Sequence, residues 1–206
     1  MSQIFYVHPQ TPQNRLMNQA VEILNNNGVI LYPTESGYAI GCLMGNKRGI
    51  DKICQIRALT KKHNFTLMCR NLSEIAIFAK MDNQAHRLLK NNTPGPYTFI
   101  LKSTKYLPKR LMNTAKRTID VRVPDNVIAL ALLEELGEPL MTSSLILPGN
   151  KSTEYDPEEI RNNLENHVDL ILNGGYLGDA PTTVVDLSDG EVFIAREGAG
   201  DLAPFK

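Results

Sequence analysis

Four segments of this chain combine hydroxyl side chains with the rigid backbone of proline or glycine. They are Pro33-Thr34-Glu35-Ser36-Gly37, Pro94-Gly95-Pro96-Tyr97-Thr98, the run from Pro139 through Thr142 and Ser143 to Ser144, and Pro181-Thr182-Thr183. Turns of this kind present hydroxyls and free amide N–H groups, which are good donors to phosphate oxygens. Arg57, Arg122 and Arg196 fall at or near element ends beside those segments. A planar guanidinium grips phosphate or carboxylate through two parallel hydrogen bonds. Taken singly, each is read most simply as a surface arginine. Taken together they suggest an anion site, because Arg122 and Arg196 each interrupt a strand of apolar neighbours.

Other chemistries lack their residues. There is no Gly-x-Ser-x-Gly elbow, no His-Glu-x-x-His and no Gly-x-Gly-x-x-Gly, and Gly41 to Lys47 fails the P-loop spacing and has no hydroxyl after the lysine. His8, His63, His86 and His167 are scattered in surface-like contexts, which predicts structural or solvated roles. Cys42, Cys54 and Cys69 show neither a Cys-x-x-Cys pair nor metal-ligand spacing, so they read as small buried hydrophobes, and no metal site is expected. Chemistry here would rest on orientation and on stabilising charge at a phosphoryl centre, with Mg²⁺ assisting, rather than on a covalent nucleophile.

The elements that must position these residues alternate. Thr11 and Pro12 read as the cap and first position of a helix carrying Leu16, Ala20, Ile23 and Leu24, which Gly28 stops. Val29 to Tyr32 is a short buried strand, and Thr34 to Gly41 is expected to be a loop opening at its end. A helix around Ile50 to Arg57, a strand at Thr66 to Cys69 and two helices across Leu72 to Leu89 follow. Thr93-Pro94-Gly95-Pro96 turns the chain into a strand at Tyr97 to Leu101. Ile119 to Val123 alternates with period two, Ile128 to Leu136 is a helix ended by Gly137, and Leu140 to Ser143 is a strand. Asp156-Pro157-Glu158-Glu159 opens a further helix. Strands at Val168 to Leu172, Thr183 to Asp186 and Val192 to Arg196 complete the pattern, the last two joined as a hairpin through Ser188-Asp189-Gly190. This is a single α/β domain over residues 1–206, a mixed sheet covered by helices.

The 206 residues hold 22 Lys plus Arg and 22 Asp plus Glu, so no overall positive charge draws nucleic acid. The distribution is uneven, however. Lys102, Lys105, Lys109, Arg110, Lys116 and Arg117 precede Arg122 with Asp120 as the single acid between Leu101 and Arg122, which makes an RNA-binding face one reading and a solvated loop the plainer one. No apolar run is long enough to span a bilayer and no leader pattern opens the chain, so no membrane partner and a cytoplasmic address are expected.

Tyr32 to Cys42, reading YPTESGYAIGC, resembles the signature of the YrdC/YciO family. Further matches come in the family's order: Pro94-Gly95-Pro96-Tyr97-Thr98, Val121-Arg122-Val123-Pro124, Thr142-Ser143, Thr183-Val184-Val185-Asp186 and Arg196-Glu197-Gly198. The resemblance implies a YrdC-like twisted sheet with a central concave cleft. It also implies synthesis of threonylcarbamoyl-adenylate from threonine, bicarbonate and Mg·ATP for the tRNA modification t6A. Carried over by position, Thr34 and Arg57 would contact the threonine end as the catalytic pair, with Tyr32, Ser36, Thr66 and Thr98 about the substrate. Arg122, Thr142, Ser143, Thr183 and Arg196 would face the nucleotide. The family's Lys-x-Arg reads Gln55-Ile56-Arg57 here, and its Thr-Ser-x-Asn reads Thr142-Ser143-Ser144-Leu145, a pattern closer to the YciO branch. Each lost hydrogen bond to a charged group would cost roughly 1.5 to 3 kcal/mol. The alternative is a tRNA- or double-stranded-RNA-binding protein without synthase activity; a third is the same fold acting on another nucleotide or carboxylate.

Overall fold

The computed structural model describes residues 2–60 and 63–206. Ten strands form one mixed sheet: β1 (Gln3–Tyr6), β2 (Ile30–Thr34), β3 (Gly37–Leu43), β4 (Thr66–Met68), β5 (Tyr97–Lys102), β6 (Thr118–Arg122), β7 (Leu140–Ser144), β8 (Leu170–Asn173), β9 (Thr183–Asp186) and β10 (Phe193–Arg196). Their order across the sheet is β1-β8-β2-β3-β7-β4-β6-β5-β9-β10. The helices are α1 (Asn14–Asn25), α2 (Lys47–Ile56), α3 (Leu72–Phe78), α4 (Asn83–Asn92), α5 (Val127–Leu136) and α6 (Pro157–Leu164).

Alternation along the strands divides the apolar side chains between two cores. In β2, Ile30 and Tyr32 face one side while Leu31 faces the other. The first side packs against Met17, Ala20 and Leu24 of α1 and Ile128, Leu132 and Leu133 of α5. The opposite side carries Ile53 of α2, Ile75 of α3, Leu89 of α4 and Ile160 of α6 over Ile40, Leu67, Phe99 and Val121. On the α1/α5 side, β4, β6, β5 and β9 present Thr66, Asp120, Arg122, Thr98 and Val184 in place of a hydrophobic row, and there the cleft lies.

Three sequence expectations need correction. Helix α1 begins at Asn14 with Gln13 as its cap residue, not at Thr11-Pro12. The Thr11 hydroxyl and amide are spent on the His8 ring nitrogen, at 2.9 and 3.1 Å. The stretch expected as a loop over Thr34 to Gly41 is instead a hairpin: β3 pairs antiparallel with β2 through the two-residue turn Glu35-Ser36, and Gly37 takes φ +93°, which favours glycine. Its burial on both faces removed the alternation that marks a half-exposed strand. Cys42 and Cys69 are buried as expected, but Cys54 is only half-buried. The cap at Asp156 and the αL stop at Gly137 are as the sequence predicts, Asn126 supplies a further cap, and β9 and β10 form the expected antiparallel hairpin.

Candidate functional site

A cavity of about 170 Å³ is lined by Arg57, Thr66, Thr98, Arg122, Thr142, Ser143 and Arg196, together with Ala39, His63, Asn64, Asp120, Ser144, Ile146, Thr182 and Val184. The sequence-predicted residues that meet there come from six separate segments of the chain. A wider hollow of about 740 Å³ lies outside it, around Lys52, Gln55, Asn163 and His167, but it gathers no guanidinium. The narrower cleft is the candidate site, because it concentrates the charged and hydroxyl groups.

Backbone pairing sets the floor. Thr66 pairs with Thr142 on one side and Asp120 on the other, so the three side chains share one face of the sheet. Tyr32, fully buried behind them, donates from Oη to Thr142 Oγ1 at 2.7 Å. Burial pushes the Tyr32 hydroxyl's pKa well up, so it stays a neutral donor.

Each arginine is gripped along part of its guanidinium. Arg57, at the end of α2, donates from Nε to the Ile146 carbonyl at 3.2 Å and from Nη1 to Ser143 Oγ. Arg196 donates from Nε and Nη2 to the Thr182 carbonyl at 3.1 and 2.8 Å. Arg122, 4% exposed, pairs through Nη2 with Glu35 and lies 3.4 Å from Ser36 Oγ through Nη1. Desolvation lowers the pKa of Arg57 and Arg196, with Arg122 adding to the effect on Arg196; crowding cations in this way is costly unless an anion shares the space. Two buried polar atoms in the cleft-lining residues, Arg122 Nε and Asp120 Oδ1, have no hydrogen-bond partner among the described residues. Such groups are rare in folded chains and mark where a ligand atom or water belongs.

Other predicted residues stand behind the wall. The Thr34 hydroxyl donates to the Gly37 carbonyl at 2.6 Å, and Ser36 and Glu35 brace Arg122. Thr183 lies on the core side of β9 with Val185, where its hydroxyl donates to the Gly200 carbonyl at 2.8 Å and accepts from the Gly198 amide at 3.0 Å. Gly198 must be glycine, since a Cβ there would meet the Pro181 carbonyl oxygen at 2.3 Å. The two departures from the family pattern also lie outside the cleft. Gln55 is exposed on the outer hollow, and Leu145 is buried in the core between β3 and the Glu154 backbone.

Two cleft residues, His63 and Asp120, and one residue behind the wall, Glu35, carry roles that the sequence pattern does not mark. His63 is half-buried, not solvated, with Nε2 3.1 Å from Ser143 Oγ. Burial and the neighbouring Arg57 push its pKa down to about 4, so it is neutral near pH 7 and shares the Ser143 hydroxyl with Arg57, which donates to the same oxygen. Asp120 was noticed only as the lone acid in a basic stretch, and Glu35 only as a letter in the signature. The period-two pattern at Ile119 to Val123 already placed Asp120 on the face of Arg122, which was the available signal.

The Lys102–Arg117 stretch is partly neutralised. Lys102 meets Asp189 at 2.9 Å, Lys116 meets Asp186 at 3.8 Å and Arg110 pairs with Asp51. Lys105 lies 5.2 Å from the Tyr106 ring centroid, while Lys109 and Arg117 are exposed. Among the described residues no helix is long and apolar enough to cross a membrane.

Comparison with known proteins agrees with this geometry. YciO of Escherichia coli K12 is 59% identical over 205 residues, covering all of both chains, and its crystal structure superposes with a TM-score of 0.97. A threonylcarbamoyl-AMP synthase of Chromobacterium violaceum is 30% identical over 188 residues, 89% of this chain and 95% of that protein. P. abyssi Sua5 complexed with L-threonine shares the fold, with a TM-score of 0.89 at 22% identity, over 97% of this chain and 58% of that one. The Sua5/YciO/YrdC family model, described as "Telomere recombination", matches residues 22–198, and the chain belongs to that family.

Proposed function

We propose that this cleft binds L-threonine and the phosphate chain of Mg·ATP and forms threonylcarbamoyl-adenylate, the nucleotidyl transfer that feeds t6A synthesis. The observation that carries the reading is the convergence of Arg57, Arg122 and Arg196 on one small hollow floored by Thr66, Thr98 and Thr142. The threonylcarbamoyl-AMP synthase relative and the threonine-bound Sua5 support it by analogy.

In this mechanism the threonine amine combines with bicarbonate, with loss of water, to give a carbamate, whose oxygen attacks the α-phosphorus and releases pyrophosphate. The protein's part is orientation and charge stabilisation. Arg57, fixed by Ser143 and Ile146, keeps Nη2 uncommitted for a carboxylate or phosphate; Arg196 keeps Nη1 and Arg122 keeps Nε. Among the described residues no group of three or more acid, histidine or cysteine side chains could hold a resident metal. That donor set fits Mg²⁺ carried on the nucleotide phosphates, where it would neutralise charge on the leaving pyrophosphate.

The test is pyrophosphate release from purified protein with threonine, bicarbonate and Mg·ATP. Release that requires all three substrates and falls at least tenfold in Arg57→Ala is the expected result, on the order of one lost charged hydrogen bond. Release no greater than that of the Arg57→Ala variant rejects the reading.

A further inference from the structure

The cleft that gathers three guanidinium groups also holds a carboxyl on its floor, and among the described residues no cation is paired with it. Asp120 belongs to none of the ion pairs among the described residues, and its Oδ1 is buried without a hydrogen-bond partner. The charged groups described around it each hold another partner, and the donor atoms they keep free, Arg57 Nη2, Arg122 Nε and Arg196 Nη1, make no ion pair with it. On its own strand, Arg122 is held by Glu35. Across β4 lies Thr66, and across β5 lies Ile100, neither ionisable. On β9, Asp186 accepts the Ser188 amide at 2.9 Å and meets Lys116 at 3.8 Å. On β10, Arg196 is turned onto the Thr182 carbonyl. Past α2, Arg57 and His63 both meet Ser143.

An oxyanion drawn in by the arginines must therefore lie over a group that would repel it as a carboxylate. We propose that Asp120 is a specificity residue of this cleft, which binds its oxyanion together with one proton from solvent, so that the acid form of Asp120 donates a hydrogen bond to a ligand oxygen. No covalent bond forms or breaks; the proton moves from water to Asp120 and stays between it and the ligand. The ligand class is a phosphoryl or carboxylate oxyanion, and the inference rests on the reading of the cleft as an anion site. Burial, with Asp186 nearby and Arg196 opposing, pushes the Asp120 carboxyl up to about 7, which makes the proton available near neutrality.

ATP binding to the full chain, measured calorimetrically in pairs of buffers with different ionisation enthalpies from pH 5.5 to 8.5, tests this. For the wild type, proton uptake above that of Asp120→Asn approaches one per ATP at pH 8 and vanishes at pH 5.5. ATP's terminal phosphate titrates in the same range but contributes equally to both proteins. With the free carboxyl near 7, affinity falls about thirtyfold between pH 6 and pH 8.5 beyond any change in the Asn variant, which can donate without a titratable proton. The wild-type proton count needs no variant, so misfolding of Asp120→Asn leaves the test intact: an uptake at pH 8 no larger than ATP's own phosphate supplies overturns the inference. ATP binding with identical pH profiles in both proteins overturns it while leaving the anion-site reading standing. Absence of ATP binding at every pH overturns both.

Discussion

Removing Glu35 should unfold the protein far more easily than the loss of a half-surface carboxylate would suggest. Arg122 is 4% exposed, its Nε has no partner, and its Nη2 rests on Glu35. In Glu35→Ala the guanidinium would keep only the Ser36 hydroxyl, 3.4 Å from Nη1, as a side-chain contact. Stripping one partner from a buried pair costs about 3 to 5 kcal/mol, because the charge left behind stays desolvated. The Asp125 amide, which donates to Glu35 Oε2 at 3.1 Å, loses its acceptor as well, for about 0.5 to 1.5 kcal/mol. A total near 5 kcal/mol corresponds to a Tm lower by roughly 10 to 20 °C for a chain of this size. Arg122→Met should cost less, about 2 kcal/mol, since the Glu35 side chain is 14% exposed and can reach water. In Glu35→Ala/Arg122→Met no uncompensated charge remains, so the double variant should be at least about 2 kcal/mol more stable than the sum of the single losses predicts. Urea titrations of the four proteins supply the cycle. Single losses below about 1 kcal/mol, or additivity within about 0.5 kcal/mol, would refute the idea that Glu35 holds Arg122 in place.

The remaining expectations concern the same wall. Asp120 has its carboxyl raised from 3.8 to about 7 by folding, so the folded state binds that proton more tightly and is stabilised by it below pH 7. Between pH 8 and pH 5 the wild type should gain about 2 to 3 kcal/mol relative to Asp120→Asn, read from urea midpoints; parallel curves would contradict this. The His63 ring, held neutral by burial and Arg57, should show no titration by NMR between about pH 5.5 and 8, and a midpoint near the ordinary 6.5 would place it outside the cleft. Gly198→Ala drives a Cβ into the Pro181 and Thr182 backbone, at 2.3 Å from the Pro181 carbonyl oxygen. It should displace Thr182 from Arg196 and cost a few kcal/mol of stability together with most ATP affinity; an unchanged melting curve and affinity would show that the segment yields freely.

Much of this arrangement was legible in the residues. Arg122 and Arg196 stood out because a guanidinium among strand-forming apolar neighbours needs a reason, and both line the cleft. Hydroxyl residues beside Pro and Gly were harder to sort. Spacing does not say which side of a strand reaches the hollow, and Thr182 and Thr183, adjacent in sequence, take opposite sides: Thr182 meets Arg196, while Thr183 ties the chain to Gly200. The residues from Thr34 to Gly41 suggest a loop at a strand's end, yet Thr34, Glu35 and Ser36 brace their neighbours from behind. Asp120 and His63 escaped notice because both owe their character to desolvation by segments distant in sequence, which no local pattern records.

The order of the strands has a bearing on how activity could be gained or lost. Since β7 lies between β3 and β4, and β5 sits between β6 and β9, the hollow borrows side chains from nearly the full length of the polypeptide. No short contiguous fragment contains all of its guanidinium groups, and long-range pairings of this kind close late and slowly. Ligand capture would thus report on completed assembly: a chain released before Arg196 is synthesised lacks its third guanidinium, and one nicked and parted between Arg57 and Arg196 divides the arginines between two pieces.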